Sequence, residues 1–135
     1  MRFDVPIYFI ISDDLDPDLF NGIFPSVVPA NISAVDKPVL VYTQVSNRDV
    51  TTKTSHNDYG RATIQISIFC KSYDKCRNVA EEIKTLLDRY KGVVTVQSVS
   101  YSVDLIRFVN QVDLGFDSDN DVFMIAQDYL ISMNQ

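Results

Sequence analysis

The sequence predicts an α+β domain: a mostly antiparallel sheet of four to five strands, with one long helix and a short N-terminal helix packed on one face. Three observations predict it. Residues 62–71 alternate apolar and polar side chains with a period of two. From Ser72 the spacing switches to three and four, which is a one-sided helix. Two further alternating stretches follow, and the 135 residues suffice for a single domain spanning 1–135 that buries about two-thirds of its unfolded surface.

Taken in order, Asp4 suits the cap of a short helix, Pro6 is tolerated in its first turn, and Ile7, Ile10 and Ile11 share a face that ends near Ser12. The acidic run Asp13 to Asp18 has too much like charge to pack, whereas Leu19 and Phe20 predict one more turn pinned to the core. Asn21-Gly22 then turns the chain. Residues 23–29 predict a short edge strand, because Pro25 and Pro29 cannot serve a central ladder. Val39 to Val45 is β-rich on both faces and predicts a more central strand, partnered by the one that begins at Ala62.

Between those two strands, Ser46 to Gly60 is expected to be a long polar loop carrying Arg48, Lys53, His56 and Tyr59, with Arg61 just beyond. Its only apolar anchors are Val50 and Tyr59, too few to offset roughly 1–2 kcal/mol of backbone entropy per ordered residue. The loop is thus expected to be loose alone and ordered against a partner. It is locally basic on an acidic protein, so Arg48, Lys53, His56, Tyr59 and Arg61 are the candidate partner-interface residues.

In the strand 62–71 the even positions, Ala62 to Cys70, face a core, and Thr63, Gln65, Ser67 and Lys71 face water or a partner. Ser72 is placed to cap the long helix, Asp74 suits its dipole, and Cys76, Val79, Ala80, Ile83, Leu86, Leu87 and Tyr90 form the buried stripe. Gly92 is the expected left-handed cap. Thr95 to Leu105 predicts one long strand, Asn110 to Asp121 an acidic connection, and Phe123 to Met133 a final strand.

The formal net charge of −6 argues against a surface that tracks phosphates over the whole domain. No apolar run approaches the roughly 18–20 residues of a membrane span, and the first twenty residues lack the pattern of a secretory signal, so a cytoplasmic protein or a non-membrane assembly is expected. Cys70 and Cys76, spaced C-x5-C, fit neither a zinc knuckle nor a redox pair, and both predict as buried thiols. No catalytic, cofactor-binding or metal residue is assigned. His56 is the only histidine and lacks a nucleophile or carboxylate at relay spacing, while four glycines are too few for a phosphate-cradling loop. Asp117, Asp119 and Asp121 imitate the start of a calcium loop with Asp128 at its twelfth position, yet Val122 stands where that loop needs glycine, and a strand pattern follows where a helix should.

Three stretches carry a resemblance: Asn21-Gly22-Ile23-Phe24-Pro25, then Lys37-Pro38-Val39-Leu40-Val41-Tyr42, then Ile64-Gln65-Ile66-Ser67-Ile68-Phe69-Cys70-Lys71-Ser72-Tyr73 running into the helix. They resemble the tail-completion, or tail-terminator, proteins of long-tailed bacteriophages, which join tail to head. The likeness covers most of the chain from Asn21 onward and departs from the family where Ile23 follows Gly22 without a basic residue and in the acidic run Asp13 to Asp18.

The resemblance implies a structural protein of the phage neck, found in the virion and in the host cytoplasm during assembly, without catalysis or cofactors. Its implied partners are further copies of itself in a hexameric ring, the major tail tube protein, and the head-completion (stopper) protein of the neck. DNA would pass through the lumen without specific binding, and no membrane is involved. The alternatives are a head-completion or other neck assembly protein, or a small α+β ligand-binding domain or enzyme with a pocket between sheet and helices near His56.

Overall fold

The computed structural model describes residues 2–26, 37–51, 58–119 and 121–134. Helix α1 spans Asp4–Asp14, followed by strands β1 (Ile23–Pro25), β2 (Val39–Thr51) and β3 (Asp58–Cys70). Helix α2 (Tyr73–Leu87) precedes β4 (Gly92–Val96), β5 (Val99–Asp117) and β6 (Val122–Asn134). The strands lie in the order β1-β2-β3-β6-β5-β4, with β1 parallel to β2 and every other pair antiparallel.

This corrects the expected fold class. Instead of four to five strands with one long helix, the chain builds a mixed sheet of six strands, parallel only at β1–β2, curled into a half-barrel with two short helices. Three misreadings account for the difference. Residues 95–105 are two strands, because Gln97 (φ 49°) and Ser98 (φ 69°) make a two-residue turn of the kind that normally takes Asn-Gly, which the sequence does not advertise. The expected acidic connection is strand as far as Asp117, paired with β6 from Ser102↔Asn134 to Asp117↔Val122. The expected loop is largely a hairpin, with Ser46↔Thr63 through Thr51↔Asp58 in register. Lys53 and His56 lie outside the described residues.

The curl has local causes. Register shifts at Gln44/Ser46 in the β2–β3 pair, and at Val103/Leu105, Phe108/Asn110 and Asp113/Gly115 in the β5–β6 pair, each insert a residue that bends a strand and tightens its twist.

The even positions of β3 (Ala62, Ile64, Ile66, Ile68, Cys70) and the odd positions of β6 (Ile125, Tyr129, Ile131, Met133) form one buried face. Helix α2 covers it, and α1 packs against α2, β2 and β4 in the same core. Cys76, Val79, Ala80, Ile83 and Leu87 are the buried side of α2, and Phe3, Ile7, Ile10, Ile11 and Leu15 extend the core through α1. Ser72 caps α2 as expected, accepting from the Lys75 N–H at 3.4 Å. The other end differs: α2 stops at Leu87, Arg89 (φ 68°) takes the left-handed conformation next to it, and Gly92 (φ 153°) opens β4. In α1 the cap position is Phe3, and Asp4 sits in the first turn, where it pairs with Arg2 at 2.7 Å. Gly22 (φ 94°) makes the turn into β1, and a Cβ there would meet the Phe24 ring at 2.7 Å.

Candidate interaction surface

The sheet positions the predicted interface residues as follows. Arg48 in β2 lies opposite Arg61 in β3, and Tyr59 lies opposite Val50. The Arg61 side chain is exposed.

A second surface escaped the sequence reading. Along β5, Val109 (58% exposed), Val112 (41%), Leu114 (51%) and Phe116 (50%) stand in solvent. Phe116 packs its ring on Phe123 at 5.0 Å, and Phe123 meets Tyr73 at 5.5 Å, so a ladder of three aromatic rings joins the end of β5 to the start of α2. The Tyr73 hydroxyl donates to Asp113 Oδ2 at 2.7 Å, and the Gly115 N–H donates to Asp113 Oδ1 at 2.9 Å. The Tyr73 bond, then the Gly115 bond, holds the Asp113 carboxyl below its usual range. The available signal was the alternation Val112, Leu114, Phe116 against Asp113, Gly115, Asp117, which a count of acidic residues conceals.

Beyond Asp117 the described residues lead into a strand, where a calcium loop would lead into a helix. The Asp119 N–H donates to Asp117 Oδ1 at 3.0 Å, Lys71 Nζ reaches Asp121 at 3.1 Å, and β6 begins at Val122.

The two cysteines are buried and unbridged, as expected. Cys76 Sγ donates to the Ile68 carbonyl at 3.5 Å, and burial pushes its pKa up to about 12. Tyr129 is fully buried and its pKa is likewise raised, chiefly by burial. A nucleophile needs the thiolate, so this thiol is inert. Iodoacetamide at pH 8 is expected to leave Cys70 and Cys76 unmodified in the native protein and to label both in denaturant, as read by mass spectrometry. Native labelling at the unfolded rate would refute their burial.

Both Cys76 and Tyr129 hold their protons more tightly folded than unfolded. Their contribution is therefore full below the unfolded thiol value near 9.0 and is lost as pH rises toward about 12. Urea midpoints should fall between pH 8 and pH 11. A midpoint that rises over that window would contradict the sign.

No family model and no curated protein matches the sequence. Among solved structures, the fold is similar to that of a chain in the virion of a native gene transfer agent particle. That likeness has a TM-score of 0.58 at 9% identity and covers 100% of this chain and 89% of the other. The architecture is therefore shared along its whole length.

Proposed function

We propose that this chain is a structural subunit of a phage-like virion, acting at the neck as a ring that caps the completed tail tube and joins it to the head-completion protein. The observation that carries this reading is the whole-length likeness of fold to a chain of the gene transfer agent virion. The stretches from Asn21 to Pro25, Lys37 to Tyr42 and Ile64 to Tyr73, which resemble tail-completion proteins, narrow the reading to the neck. Its role is architectural rather than catalytic, which fits an inert Cys76 and the exposed apolar side chains along β5. The formal charge of −6 suits a lumen that lets DNA pass without gripping it.

Removing the gene is expected to give particles with unattached heads and abnormal tails under negative stain, and complementation should restore joined particles. Normal virions in its absence would overturn the assignment.

A further inference from the structure

At 19 residues β5 is the longest of the described strands, and its two ends carry different surfaces. Its start forms a hairpin with β4, Val96 facing Val99 across the two-residue turn at Gln97 and Ser98. Val93 and Val99 stand in solvent there. Arg89 and Lys91, which lead into the hairpin, are exposed as well, and residues 89–103 contain no acidic side chain. The flanking carboxylates do not cancel this charge: Asp88 accepts from the Phe108 N–H at 3.0 Å, and Asp104 is offset by Arg107 in the formal count.

The far end of β5 is opposite in sign. Residues 109–121 hold Asp113, Asp117, Asp119 and Asp121 and no lysine or arginine. Lys71 meets Asp121 at 3.1 Å and the Arg77 charge acts on Asp113, so four carboxylates stand against two cations. Among them Val109, Val112, Leu114 and Phe116 are exposed. This strip is preformed, because Asp113 receives both the Tyr73 hydroxyl and the Gly115 N–H while the Phe116 ring rests on Phe123, so a partner that docks there orders few side chains anew.

We propose that the β4–β5 hairpin of one copy of this chain docks on the distal end of β5 of the next, Val93 and Val99 meeting the strip from Val109 to Phe116 while Arg89 and Lys91 face its carboxylates. Two complementarities support a second copy as the occupant. One joint covers apolar side chains that otherwise stand in solvent at both ends of the strand. It also brings unlike charges together, whereas a symmetric contact between two hairpins or between two distal ends would oppose like charges.

One copy cannot make this joint with itself. From Val99 to Val109 the strand rises roughly 30 Å, and β5 holds its two ends apart by that length. The joint uses two different surfaces, so it is head-to-tail and repeats from copy to copy until a ring closes. The inference rests on reading the chain as a ring subunit and names the surfaces through which its copies meet.

The test joins Val99→Cys in one protein with Val112→Cys, Leu114→Cys or Phe116→Cys, in three separate double variants. The two new thiols are too far apart to meet within a copy, so oxidation links only different copies. At least one variant is expected to give a ladder of covalent multimers on a non-reducing gel, while Val99→Cys alone stops at sparse dimers. Arg89→Glu with Lys91→Glu, at exposed positions, should keep the native melting temperature yet lose the multimer in sedimentation. Adding Ser118→Lys and Asp119→Lys, also at exposed positions, to that variant should restore it. A native chain that stays monomeric at millimolar concentration overturns the proposal. So does a multimer that survives the charge reversal and gives no ladder, although the neck assignment would then stand. Ladders from a chain absent from purified virions would sink the neck assignment and leave the joint.

Discussion

Ile83→Ala is expected to lower the free energy of unfolding by about 2–5 kcal/mol, one of the two largest losses of stability predicted for a single substitution here. Ile83 is 0% exposed, midway along the buried side of α2, and sits in the same core as Ile64, Ile66, Ile68 and Ile125. Truncation there removes apolar contact and leaves a cavity between helix and sheet that neighbours anchored in paired strands cannot close. Glu82→Ala, at an exposed position on the same helix, should move the urea midpoint by no more than about 0.5 kcal/mol in equivalent stability. A loss below about 1 kcal/mol for Ile83→Ala would mean that the stripe does not carry the packing assigned to it.

Gln127→Ala should cost about 2–4 kcal/mol, for a different reason. Gln127 is 0% exposed, and every polar atom of its amide is used. Nε2 donates to the Ala80 carbonyl of α2 at 2.9 Å and to Gln111 Oε1 of β5 at 2.9 Å, while Oε1 accepts from the Tyr129 hydroxyl at 3.0 Å. One side chain thus ties the helix to two strands. Alanine strands the Tyr129 hydroxyl in the core without an acceptor, and an unsatisfied buried group costs more than the bond itself contributes. Gln127→Leu combined with Tyr129→Phe removes both partners and should recover part of the loss, giving a coupling measurable in a double-mutant cycle. Strictly additive effects would show that the amide and the phenol act independently.

Legibility followed periodicity. Residues 62–71 and α2 were readable because many side chains repeat one spacing and Ser72 marks the change, so strand, helix, pairing of β2 with β3, and buried cysteines could all be inferred. β1 was readable as an edge because Pro25 cannot donate to a ladder. The turn at Gln97 and Ser98 was not, since both adopt positive φ without the residues that favour it. Distal β5 was hidden because Asp113, Asp117, Asp119 and Asp121 make the stretch read as an acidic connection and because its apolar side chains point to solvent. Gln127 falls in the same phase of β6 as Ile125, Tyr129 and Ile131, so parity alone could have flagged a buried polar group. Of the candidate interface, the residues around Arg48 and Tyr59 were expected in a loose loop and stand instead in paired strand.

The central position of β6 beside β3 governs how the chain folds. The β2–β3 hairpin and the β4–β5–β6 meander each pair residues near in sequence and can form early, whereas the seam between them joins residues 59–70 to 123–134 and closes a long loop. During synthesis the first hairpin emerges well before its partner and meanwhile presents Ile64, Ile66 and Ile68 beside an unpaired β3 edge. Only α1 and α2 are then available to shield it. Docking of the last strand is therefore the slow step, and until it happens the nascent sheet is at its most prone to pair with the wrong chain.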